Sequence, residues 1–118
     1  MNRDYKLFVK DIIQAMESIE QFVENKDQEE LEEDDMASSA VIRKFEIIGE
    51  ATKHIPNEMK KKYPNVPWPK MAGMRDRLIH AYFGIDYRLV WDAIHVELPK
   101  AKQELQDMLD KLEKEKKQ

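Results

Sequence analysis

Within Met74-Arg75-Asp76-Arg77-Leu78-Ile79-His80-Ala81-Tyr82, an Arg is followed by four residues, a His, one further residue and a Tyr. A fixed cation, a titratable imidazole and a phenol therefore share one short segment. These groups suit phosphodiester chemistry. A guanidinium binds and neutralises phosphate oxygens, and an imidazole moves protons near neutral pH. None of the three types at this spacing is a metal-ligand signature, so a site built on them is expected to work without metal or other cofactor. By itself the string has a plainer reading, a surface Arg and a His at a helix end, and its neighbours must decide.

Charge is one such neighbour. The chain has a formal net charge of −4, which argues against a protein that coats nucleic acid generally. The charge is nonetheless uneven. Residues 24–35 hold eight acids against one Lys, while residues 56–77 hold six Lys or Arg against two acids. The basic block contains the motif and suits a local anionic substrate, although a solvated lysine face explains Lys60, Lys61 and Lys62 equally well.

The elements that must position the motif read as helices. Tyr5, Phe8, Ile12, Met16, Ile19 and Val23 recur at helical steps, widened by Leu7, Ile13, Ala15 and Phe22. The acidic run over about 26–35 reads as a loop that has room for one helical turn, since dense like charges repel and need solvent. A second helix starts near Asp35, a fitting N-cap. It carries Ala37, Ala40, Val41, Phe45, Ile48 and Ala51 to about His54. Gly49 within it costs about 1 kcal/mol relative to Ala, which suggests close approach of another helix. A short helix fits Asn57 to Tyr63, and Pro64, Pro67 and Pro69 impose a rigid connection.

The motif helix is expected from Pro67–Pro69 to a point between His80 and Gly84. Asp86 reads as the next N-cap, with Leu89, Val90, Ala93, Ile94 and Leu98 facing inward and Pro99 kinking or restarting that helix. A last segment carries Ala101, Leu105, Met108 and Leu112 into a charged tail, frayed over about 112–118. No strand pattern is present. The fold class is all-α, an antiparallel bundle of about four to six helices in one domain over 1–118.

The chain has no cysteine, which excludes disulfides and thiolate metal sites and fits a reducing cytoplasm. No run nears the roughly 18 apolar residues of a membrane span, and Asn2 to Lys6 lead directly into an amphipathic pattern rather than a signal peptide. A cytoplasmic protein without membrane contact is expected. The seven methionines sit mostly at helical spacing and read as core filler. His54 is expected to stabilise a helix C-terminus, and His95 to sit on the solvent side of its helix or pack there. Glu46 and Glu50 can share a face, Glu50 being the one expected to reach a buried neighbour or the motif region. Trp68 and Trp91 read as core or interface anchors.

Phe45-Glu46-Ile47-Ile48-Gly49-Glu50-Ala51, the run Trp68 to Arg75 and the run Ile85 to Trp91 surround the Arg-x4-His-x-Tyr string. Together they resemble the HepT-like family of the HEPN superfamily, over roughly residues 5 to 110. The motif is complete here, so Arg75, His80 and Tyr82 take the family's three positions. The resemblance implies a ribonuclease toxin of a toxin–antitoxin pair, acting as a homodimer. It also implies a small nucleotidyltransferase antitoxin that attaches AMP at Tyr82. Such a modification makes physical sense, because an anionic adduct beside Arg75 fills the cleft and neutralises the cation.

Spacing constrains the mechanism. On a continuous helix Arg75 and His80 diverge by roughly 140°, too far to grip one phosphate. Either the helix unwinds near His80, helped by Gly84, or two copies of the motif converge across a two-fold axis. The resemblance implies the second. Asp76, four residues before His80, would share its face and hold one imidazole nitrogen. The expected reaction is RNA cleavage by attack of the ribose 2′-OH on the adjacent phosphate. His80 serves as general acid or base, and Arg75 stabilises the developing charge. The rival reading is a non-catalytic helical partner that presents Tyr82 to a nucleotidyltransferase.

Overall fold

Residues 5–80 and 84–117 are described by the structure, a computed structural model; at His80, Lys116 and Lys117 the description covers backbone alone. Helix α1 (Tyr5–Phe22) and α3 (Asp35–Lys53) form the centre of an all-α bundle, and α8 (Leu98–Lys117) packs on α1. The expected spacing is realised on α1, where Ile12, Met16 and Ile19 are sealed from solvent. They meet Val41, Phe45 and Ile48 of α3 and Leu105 and Met108 of α8 in one core. Leu7, read as part of the stripe, is instead half exposed.

The acidic run is not a loop. Gln28–Glu33 forms helix α2, capped by a reciprocal box in which Asp27 accepts from the Glu30 backbone and Glu30 accepts from the Asp27 backbone. Carboxylates in a first turn also meet the positive end of the helix dipole, and Leu31 is fully buried beneath them. These local terms outweigh the mutual repulsion of solvated acids. Asp34, one residue before the expected cap, caps α3 by accepting from Ala37 at 2.9 Å.

Short elements follow. They are α4 (Asn57–Lys62), α5 (Trp68–Ala72), α6 (Met74–Leu78), strand β1 (Ile79–His80), strand β2 (Gly84–Ile85) and α7 (Tyr87–Asp92). Gly49 is where α3 meets α5: an added Cβ would lie 3.2 Å from the Ala72 carbonyl oxygen. Asp86 caps α7 as expected, accepting from Leu89 at 3.1 Å. Leu89 itself faces outward and is 39% exposed. Between α7 and α8 the chain widens into a π-helical turn, Ala93–Glu97. Pro99 lacks an N–H and crowds the carbonyl four residues back, and the wider turn before it is bonded from Leu98 N–H to the Ala93 carbonyl. The charged end of α8 is helical to Lys117, with ion pairs from Glu113 to Lys10 and from Glu115 to Lys62.

Candidate active site

The expected single motif helix is two five-residue helices broken at Gly73, followed by extended backbone. α5 opens on Pro67 and Pro69, as the tolerance for Pro in a first turn predicts. Its Trp68 is buried and donates from Nε1 to the Tyr63 carbonyl at 3.0 Å. α6 is pinned by Met74 and Leu78, at 2% and 1% exposure, which turns Arg75 and Asp76 outward.

The helix stops at Leu78. Ile79 has φ −119° and ψ 123°, an extended conformation, and pairs with Ile85 while His80 pairs with Gly84. The Asp86 N–H closes the hairpin onto the Leu78 carbonyl at 2.9 Å. Gly84 takes φ +78°, a region that glycine enters without the Cβ penalty. The two-residue strands are a feature the sequence did not announce, because periodicity needs more residues than these to show. The unwinding expected near His80 is present. The 140° divergence of an unbroken helix does not apply, since His80 lies past the helix end. The His80 side chain and Tyr82 lie outside the described residues.

Arg75 is held from α3. Its Nε donates to Oε2 of Glu46 at 2.8 Å, and its Nη1 donates to Oδ1 of Asp76 at 3.4 Å. The hydrogen bond to Glu46, then its charge, raises the guanidinium's pKa further above its ordinary value. Arg75 stays a permanent cation, fixed on one side and half open to solvent. Asp76 is expected to hold the His80 imidazole, whose side chain lies outside the described residues; its Oδ1 lies 3.4 Å from Arg75 Nη1.

Glu46 also faces Arg43, whose Nη1 is 3.9 Å from its Oε1. One carboxylate thus lies between two guanidiniums. Sequence reasoning assigned the reach toward the motif to Glu50; Glu50 is exposed and pairs with His54 at 3.5 Å. A signal for Glu46 was available. If Gly49 marks the face that another helix approaches, the residue three positions earlier borders that face more closely than the residue after it.

Three of the six cations in the linear basic block are paired with acids. Lys62 pairs with Glu115 at 3.2 Å, Arg75 with Glu46, and Arg77 with Glu97 at 2.9 Å. Each acid belongs to a different element. His54 is the C-cap of α3, as expected, and its ring stacks on Phe8 with centroids 4.9 Å apart. His95 lies exposed in the π turn, donating from Nδ1 to the Trp91 carbonyl at 2.9 Å. Among the described residues no group of three or more His, Asp or Glu is placed to hold a metal ion, and no helix is long and apolar enough to cross a membrane.

A Methanocaldococcus jannaschii protein carrying RNase in its name is 44% identical over 111 residues, which are 94% of this chain and 96% of that protein. A Thermococcus cleftensis protein named "Probable ribonuclease HepT" is 46% identical over 102 residues, 86% of this chain and 93% of its own. A Caldanaerobacter subterraneus protein, again with RNase in its name, is 38% identical over 104 residues, 88% of this chain and 93% of its own. No solved structure matches the chain. The family model described as ribonuclease HepT-like matches residues 12–108, and the chain belongs to that family.

Proposed function

We propose that this protein is a metal-independent endoribonuclease, the toxin of a toxin–antitoxin pair, working as a homodimer in the cytoplasm. The observation that carries the chemistry is Arg75, a solvent-reaching guanidinium clamped by Glu46 on a helix that ends two residues before His80. The reaction begins when the ribose 2′-oxygen attacks the neighbouring phosphorus as an imidazole removes its proton. The bond from phosphorus to the 5′-oxygen breaks, an imidazolium protonates that leaving oxygen, and a 2′,3′-cyclic phosphate remains. Arg75 neutralises charge on the non-bridging oxygens at the pentacoordinate stage. Asp76 supports it by orienting the guanidinium.

Acid and base are both needed, and each chain supplies one motif His. A second copy across a two-fold axis supplies the other imidazole. Leu89 and Val96, at 39% and 55% exposure, lie just after the hairpin and suit such an interface. Tyr82 is the site at which a small nucleotidyltransferase antitoxin adds AMP, closing the cleft with an anion that Arg75 attracts. The test is incubation of purified protein with labelled RNA in chelator, beside His80→Ala. Cleavage by the first alone is expected. Equal cleavage by both, or cleavage that vanishes in EDTA and returns with Mg²⁺, would overturn the mechanism.

A further inference from the structure

A groove of about 260 Å³ runs between α1 and α3 beside the clamped arginine. Phe8 and Asp11 of α1 line one side, and Arg43, Glu46 and Glu50 of α3 with its C-cap His54 the other. Two features set it apart from ordinary surface. The rings of Phe8 and His54 are stacked nearly parallel, with an interplanar angle of 13°. Glu50 lies at the edge of that stack, its Oε1 3.5 Å from His54 Nε2. The groove is also continuous with the motif, because Glu46 contributes to it and bonds Arg75 through Oε2.

Resting on the ribonuclease reading, we propose that this groove is a base subsite. It receives one nucleobase of the RNA strand next to the scissile phosphate, and guanine fits it best. The volume equals about nine waters' share of liquid, the scale of one bicyclic base. Single-stranded RNA is recognised by stacking splayed bases on aromatic rings and bonding their edges. A base laid on the half-exposed His54 ring extends the existing stack and brings its edge toward Glu50, with Asp11 across the groove.

Carboxylates accept and do not donate. Guanine's Watson–Crick edge offers an N–H and an amino group side by side, a two-pronged donor for one carboxylate. Adenine and cytosine offer an amino group beside an acceptor nitrogen. Uracil offers one N–H between two carbonyls, which a carboxylate repels. The same acids exclude phosphate from the groove floor, so the backbone must run past its rim. Arg43 and Arg75, lying against opposite oxygens of Glu46, are the cations there.

The experiment is cleavage, in chelator, of a pool of short single-stranded RNAs differing at the nucleotides flanking one cut, by the full chain. Guanine is expected to exceed uracil by about tenfold or more at one flanking position, the discrimination that one good bidentate contact to a base edge gives. His54→Ala and Glu50→Gln should each reduce that ratio to about threefold or less, with KM rising more than kcat falls. Cleavage without base preference, or a preference that both variants keep, would overturn the subsite and leave the ribonuclease reading standing. Loss of the dimer in His54→Ala with base preference intact would assign the groove to an interface between copies and also overturn it. A second arm does not depend on cleavage: NMR of the His54 ring during titration with guanosine or uridine 5′-monophosphate. A shift selective for the guanosine nucleotide supports the subsite, and equal or absent shifts oppose it.

Discussion

Arg75 and Glu46 are 29 residues apart in sequence and 2.8 Å apart in space, Nε to Oε2. The pair joins the motif helix to the central helix α3. Its orientation matters: with Nε engaged and Nη1 toward Asp76, the remaining guanidinium donors are left for a ligand. A carboxylate on one edge and a phosphate on the other is an arrangement the planar, forked cation supports and a lysine does not.

Glu46 should therefore matter for rate far more than for stability. The pair is half exposed, and such pairs contribute about 0–1 kcal/mol. Glu46→Gln is expected to leave the melting temperature within about 4 °C while lowering RNA cleavage by about tenfold or more, through loss of Arg75 positioning. A variant with unchanged turnover would show that Arg75 needs no clamp.

The motif residues are expected to behave as a phosphodiester site. Arg75→Ala and His80→Ala should each reduce cleavage at least about 100-fold in chelator. Arg75→Lys should fall well short of restoring it, because an ammonium cannot bond Glu46 and phosphate along two edges. Full activity in Arg75→Lys would reduce the guanidinium to a point charge.

Assembly is checked by light scattering at micromolar concentration. The expected mass is twice the chain's 14.1 kDa. Val96→Asp places a charge on an exposed apolar position of the π turn and should yield monomers that no longer cut RNA. A clean monomer from the unmodified protein, with cleavage retained, would refute the composite site.

Packing at Gly49 should report on the site as well as the fold. A Cβ there meets the Ala72 carbonyl at 3.2 Å, so Gly49→Val must push α5 away from α3. A loss of about 1–3 kcal/mol is expected from such overpacking, read by urea unfolding. Cleavage should fall further than the unfolded fraction explains, since α5 leads directly into α6. Stability gained by Gly49→Val would mean that α5 yields freely.

Tyr82→Phe separates chemistry from control. The hydroxyl has no proton-transfer role in the proposed reaction, so much of the cleavage activity should survive. Labelling from radioactive ATP in the presence of the nucleotidyltransferase should disappear. Labelling that persists would move the modification to another residue.

Much of the fold was written locally. The apolar spacing of α1 and α3, the Asp86 cap and the prolines opening α5 were legible because each depends on residues within a turn or two of each other. The Arg, His and Tyr types and the order in which they occur were legible in the same way. So was the family, whose model spans residues 12–108. The acidic helix α2 was misread because net charge hid a capping box and one buried leucine.

Tertiary structure decided the rest. The choice of Glu46 over Glu50 as the partner of Arg75 depends on which side of α3 meets α5 and α6, a matter of packing between helices rather than of periodicity within one. The end of α6 at Leu78 likewise depends on a partner strand six residues beyond Ile79, since Ile79 pairs with Ile85. Helical propensity carries no information about that pairing. Three cations of the basic block were paired by the same physics: ion pairs form between groups brought close by the fold, and Lys62, Arg75 and Arg77 each found an acid on a different element.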